Sequence, residues 1–166
     1  MSQADTGLQS IKQKPDPISD NGIENMREPP VTRRAFQRLS DLRTEEAGVL
    51  VRNRKQLGAY YLAGYAVECA LKACIAKETK RHEFPPKLAY VRSVYVHDLD
   101  QLLRLAGLDK QLENDMKKNS SLANNWNVIK VWSEEARYIA SGLKGKDMYE
   151  ALIGTDGVLT WIKQRW

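Results

Sequence analysis

The chain is poor in the residues that do most metal, redox and acid–base chemistry: of 166 residues, two are cysteine and two are histidine. Cys69 and Cys74 fall on one helical stretch, about 140° apart around its axis, so they cannot bridge each other. A disulfide scaffold is excluded, and both cysteines read as small core residues of a reducing compartment. Together with His82 and His97 they offer no close metal-ligand spacing, and neither a metal nor a cofactor is expected. No glycine-rich phosphate loop, nucleophile elbow or triad spacing occurs. No segment sustains strand-like alternation; Val91 to Val96 comes nearest and is short. The opening residues MSQADTGLQSIKQKPDP are polar throughout and unlike a signal peptide. Leu57 to Ile75 is about long enough to span a bilayer, but Glu68 and Lys72 fall inside it and amphipathic helices follow. The expectation is a cytoplasmic protein without a membrane partner.

What is present is helical patterning and a moderate excess of positive charge. Residues 1 to 30 have few large apolar groups, Pro15, Pro17, Pro29 and Pro30 interrupt any helix, and the segment carries a net charge of −2. They read as a disordered leader. The whole chain is +5, which leaves +7 on residues 31 to 166. That excess permits a polyanionic partner without requiring one.

The domain begins near Val31. Thr32 is a candidate N-cap, after which Phe36, Leu39, Leu42, Glu46, Val49 and Leu50 recur at helical spacing to about Arg54. A second helix follows to about Thr79. Pro85 and Pro86 then forbid a continuous helix through the connection that follows. Asp98 can cap a short helix with Leu99, Leu102, Leu103 and Leu105 on its apolar face and Gly107 at its end. Residues 109 to 118 add an exposed turn or two. From Ser121, Leu122, Trp126, Ile129 and Trp132 line one side of another helix, which bends where Ser133 offers a fresh N-cap. After Gly142 and Gly145 a last helix runs from about Lys146 to Gln164, presenting Met148, Leu152, Thr155, Leu159 and Ile162 and weakened at Gly154 and Gly157. The fold class is therefore all-α: an up-and-down bundle of four principal helices with short extras.

The second helix is the most informative. LGAYYLAGYAVECALKACI is apolar on nearly every side, while Tyr61, Tyr65, Glu68 and Lys72 share one stripe about 60° wide. Such a helix lies inside a domain, and its carboxylate and amine then need partners or a purpose.

Three motifs, in order, resemble the HEPN domain, the helical nucleotide-binding domain of higher eukaryotes and prokaryotes. They are GAYYLAGYAVECALKA at residues 58 to 73, HDLDQLL at 97 to 103, and WSEEARY at 132 to 138. The first is the most specific, and the resemblance spans roughly residues 33 to 164. It implies a bundle that usually forms a homodimer, with a polar cleft between subunits. Many members are RNases of toxin–antitoxin or antiviral systems, and others accompany nucleotidyltransferases as binding modules. The RNase members carry an Arg followed four to six residues on by a catalytic His. Here the Arg matches Arg137, and Tyr138 to Lys144 contain no His. The usual cleavage motif is incomplete.

Each candidate residue has a structural and a functional reading. Glu68 and Lys72 are either an internal ion pair or, beside Tyr65, part of a cleft in which Lys72 meets a phosphate. Arg137 and Tyr138 follow the candidate cap Ser133. Either Arg137 adds a fork to an anion site at a helix N-terminus, or it pairs with Glu68 or Glu134. His97 either does acid–base work or hydrogen-bonds a loop carbonyl. Between residues 77 and 95, Lys77, Lys80, Arg81, Lys87 and Arg92 are interleaved with Phe84, Tyr90 and Tyr95, as single-stranded RNA contacts or as a solvated loop. Trp126, Trp132 and Trp161 read as packing.

The leading expectation is a non-catalytic HEPN-like module. It would bind a nucleotide, RNA or partner protein through Tyr65, Glu68, Lys72, Arg137 and Tyr138, with a nucleotidyltransferase-type antitoxin as one candidate partner. The rival is an RNase toxin using another base, His97 or Tyr138, with Arg137 stabilising developing charge. A purely structural interaction module is the third.

Overall fold

The computed structural model describes residues 32–78 and 94–166. The expected leader and most of the 77–95 connection lie outside the described residues. The described part is an all-α bundle, with no strand among the described residues.

Helix α1 (Arg33–Arg52) starts where Thr32 Oγ1 accepts from the Ala35 N–H at 3.2 Å, as an N-cap should. It turns directly into α2 (Gln56–Glu78). Arg54 closes that turn in the left-handed region at φ 59°, and the Lys55 N–H reaches the Leu50 carbonyl at 2.8 Å. Twelve residues of α2 are buried, and α1, Leu99–Leu105, Glu134–Tyr138, Gly145–Ile153 and Val158–Lys163 pack against it.

The face that α1 turns inward is not the one its large side chains suggest. Its buried residues are Ser40, Ala47 and Gly48, whereas Leu42 and Val49 are 44% and 47% exposed. The reason is the composition of α2. Ala59, Ala63, Ala66 and Ala70 let another helix come close, and only small side chains on α1 fit that approach. Ser40 Oγ even donates to the Ala66 carbonyl at 2.8 Å, a bond that needs the two backbones near each other.

Asp98 caps α3 (Leu99–Leu105) by accepting from the Gln101 N–H at 2.7 Å, and Gly107, at φ 69°, ends it. Residues 109–118 make a full helix, α4 (Asp109–Lys118), exposed except chiefly at Leu112. Asn119, rather than a serine, caps α5 (Ser120–Ile129). Trp132 is buried just beyond the end of α5, and Ser133 caps a short 3-10 turn, Glu134–Tyr138, where a new α-helix was expected. The predicted last helix is two: α6 (Gly145–Ile153) and α7 (Val158–Lys163). Residues 154 to 157 break it. Asp156 sits at φ 54°, and Asn125 Nδ2 holds the Thr155 and Asp156 carbonyls at 3.0 Å each. Met148, Leu152, Leu159 and Ile162 still point inward, but Thr155 falls in the break and is exposed.

Cys69 and Cys74 are free and buried, and Trp126, Trp132 and Trp161 belong to the core. Among the described residues no helix is long and apolar enough to cross a membrane.

Trp132 lies flat against Gly64 of α2, and a Cβ there would overlap the indole carbons Cγ, Cδ1 and Cδ2. Gly64→Ala should therefore destabilise the fold by about 1–3 kcal/mol through overpacking. Gly58→Ala, which meets only the mobile end of Leu50, should be far milder in the same urea titration.

Candidate functional site

Glu68 lies in the middle of α2 at 2% exposure, so both of its oxygens need donors. Oε1 accepts from Lys72 Nζ at 2.7 Å, one turn further along the helix. Oε2 meets His97 Nδ1 at 3.0 Å, and His97 stands just ahead of the Asp98 cap of α3. The carboxylate thus ties α2 to the approach of α3. A carboxylate only accepts, so the His97 hydrogen lies on Nδ1, and in the neutral ring Nε2 keeps its lone pair. The His97 side chain is 42% exposed and that of Lys72 15%. The bland expectation for His97, a bond to a loop carbonyl, is replaced by this bond to a buried acid.

Tyr65 comes next along the edge, half-buried. The guanidinium of Arg43, from α1, lies 5.8 Å from its ring centre, and Arg43 is itself paired with Glu46. Burial raises the Tyr65 phenol above its ordinary value, the negative charge of Glu68 adds to this, and Arg43 opposes it. Tyr65 is a neutral hydrogen-bonding group there, not a base. Burial first, and Glu68 second, push the Cys69 thiol up to about 12; burial pushes Cys74 to about 11. Neither is a nucleophile in waiting.

A turn earlier, Tyr61 stacks on Tyr65 with ring centres 6.3 Å apart and leans on Trp132 at 6.1 Å. Arg137 arrives here, not at Glu68. Its guanidinium lies 4.8 Å above the Tyr138 ring, and Tyr138 first, with Tyr61 also in reach, holds its pKa above the ordinary value. Arg137 makes no ion pair with Glu68 or Glu134. Tyr61 and Glu68 are two turns apart, about 10 Å along the axis. The five expected ligand residues therefore divide. Tyr65, Glu68 and Lys72 form a knot closed by His97, while Arg137 and Tyr138 form an open platform against Tyr61. Tyr138 is 71% exposed. Both residues belong to a 3-10 turn of five residues, so the expected help from a helix N-terminus is absent.

An open groove of about 520 Å³ lies between Arg54 to Gly58 and Ala140 to Leu143, residues that follow Tyr138 in the chain. Arg54 and Lys55 add exposed cations to it. Elsewhere along the edge, Arg43 Nε and Trp132 Nε1 are buried without an acceptor. No cluster of His, Cys, Asp or Glu among the described residues could hold a metal ion. Of the cations expected between residues 77 and 95, Lys77 is engaged, donating to the Arg165 carbonyl at 2.9 Å. Tyr95 is 77% exposed rather than packed on the bundle.

Sequence reasoning missed Arg43 and the His97–Glu68 bond. The second had a signal: a buried acid on a stripe, and one described histidine outside it. No family model, curated protein or solved structure matches the chain.

Glu68→Gln should destabilise the fold by roughly 3 kcal/mol, the low end for breaking a buried pair, because Lys72 and His97 can recover some water. The double variant with Lys72→Met should cost less than the two single changes added, a coupling read by a double-mutant cycle in urea. The raised thiol values give a second outcome. At pH 8 Cys69 is almost wholly the thiol in the folded protein. Both cysteines should resist a thiol reagent until denaturant is added, and prompt labelling of the native protein would contradict the burial. The sign for stability follows: folded values above the unfolded one mean stability held below about pH 8.5 and lost as pH rises beyond it.

Proposed function

We propose that this chain is a HEPN-like binding module, lacking the family's RNA-cleaving motif, that holds a single-stranded RNA or nucleotide at the Tyr61–Arg137–Tyr138 end of the α2 edge. The observation that carries this reading is the platform itself. Arg137 is a cation without a carboxylate partner, set over an exposed aromatic ring, and a groove lined by Arg54, Lys55 and the residues 140–143 that follow it in the chain adds two more cations. Exposed aromatics stack on any base, and the cations follow the phosphates. Lys72 is less available than the sequence suggests, because Glu68 already neutralises it.

One observation favours the RNase reading as a second proposal. Glu68 holds His97 by Nδ1 and leaves Nε2 free, the arrangement in which a carboxylate orients an imidazole as a general base. Arg137, the arginine that matches the family's motif, lies at the other end of the edge. That separation is why binding is the leading reading.

The test is titration of a fluorescent single-stranded RNA and of a mononucleotide. Arg137→Ala and Tyr138→Ala should each weaken RNA binding about tenfold, the loss expected for a stacked base or its cation. Affinity should also fall steeply with salt. Lys72→Ala should change it little. Wild-type affinity in both Arg137→Ala and Tyr138→Ala would sink the proposal. RNA breakdown by the wild type, abolished by His97→Ala, would establish the second reading in its place.

A further inference from the structure

Away from the α2 edge, a cavity of about 350 Å³ opens where the end of α4, the start of α5 and the 154 to 157 break meet α7. Leu122 and the Trp161 indole supply its apolar surface. Asp115 is fixed there by two donors, Trp161 Nε1 at 2.8 Å and Arg165 Nη2 at 3.0 Å. Both bonds fall on Oδ2, and Oδ1 takes none among the described residues. The Arg165 guanidinium lies 3.7 Å from the centre of the Trp161 ring, and its side chain is 15% exposed. This pair ties α4 to the end of the chain and needs no ligand. Lys118 and Asp156 line the same cavity and are not explained by that tie. Among the described residues neither is in an ion pair, with the other or with any third group. Asn125 Nδ2 pins the Asp156 carbonyl at 3.0 Å, which fixes where that carboxylate is rooted. The cavity therefore holds one settled ion pair and, beside it, one free charge of each sign.

We propose that this cavity binds a small zwitterion, a free α-amino acid, whose ammonium meets Asp156 and the open oxygen of Asp115 while its carboxylate meets Lys118. The inference goes beyond the RNA reading and shares no residue with it. The charge balance of the lining selects the class: Asp115, Asp156, Lys118 and Arg165 sum to zero. A phosphate would face two carboxylates, and a polyamine would face two cations. An apolar ligand would strip water from Lys118 and Asp156 and give nothing back. A molecule carrying both signs a few ångströms apart satisfies each with a charge-assisted hydrogen bond. Asn119, Thr160 and Gln164 add neutral donors and acceptors, which suit a polar amino-acid side chain. At about 350 Å³ the cavity lies at the small end of the range for ligand pockets, in keeping with one such molecule.

Thermal unfolding of the full chain with glycine, serine, glutamine, lysine or glutamate at millimolar concentration tests this. Glucose and inorganic phosphate serve as neutral and anionic controls. At least one amino acid should raise the melting temperature by about 3 °C. Calorimetric titration of that amino acid then gives its Kd. Lys118→Gln and Asp156→Asn should each weaken its binding about tenfold, the worth of one charge-assisted hydrogen bond. Both side chains are exposed, and asparagine accepts the left-handed backbone of residue 156, so without ligand both variants should melt as the wild type does. The methyl ester of the same amino acid lacks the carboxylate. It should bind weakly, and equally to the wild type and to Lys118→Gln, a result that lost stability does not produce. No shift with any amino acid, an equal shift from glucose or phosphate, or binding unchanged in both variants would each overturn the proposal.

Discussion

A carboxylate at the centre of an otherwise apolar helix sets the terms for the rest of the molecule. Glu68 is almost fully buried, and Lys72 and His97 meet both of its oxygens. Lys72 comes from the same helix and would be there whatever the fold. His97 comes from across a long connection, so the bond to it fixes where the chain must return. Once His97 is placed, Asp98 caps α3 next to it, and Leu99, Leu102 and Leu103 drop onto α2. A polar contact of this kind adds little net stability against an apolar substitute. Its contribution is to exclude other placements of the returning chain.

The alanine-rich surface of α2 is the second constraint, and it determines what is left outside. Helices approach alanine rows closely only through small side chains, so α1 presents Ser40, Ala47 and Gly48 and turns Leu42 and Val49 outward. Trp132 uses the same permissiveness at Gly64, where its indole takes the space a Cβ would occupy. That contact stands the 3-10 turn against α2 and sets Arg137 beside Tyr61. One compositional choice on α2 thus positions both the aromatic platform and the unused face of α1.

Much of the fold was legible in the residues. The all-α class, the caps at Thr32, Asp98 and Ser133, the buried cysteines and the tryptophan core all follow from local chemistry or from periodicity. Where the reading went astray, long-range packing had overruled local pattern. The periodicity of α1 identifies an apolar face, but only the small residues of the neighbouring helix decide which face goes inward. The last helix reads as continuous through Thr155, yet two glycines and Asn125 from α5 break it. At the site, the stripe on α2 was visible, whereas its partners from α1 and from the approach to α3 were set by tertiary geometry. Arg43 offers no pattern that points to Tyr65.

The division of the edge bears on what chemistry the protein can perform. Phosphoryl transfer to a ribose hydroxyl needs a base and a cation within a few ångströms of one phosphate. His97 and Arg137 are each oriented, but by different partners at opposite ends of the stripe, with two tyrosine rings between them. Lys72 shares its carboxylate with His97 and so has its charge largely cancelled. A strand lying along this edge would be held by stacking and by Arg137 while its phosphates pass Lys72 at low net charge. Under the proposed binding reading, a strand on this edge would be retained rather than cleaved.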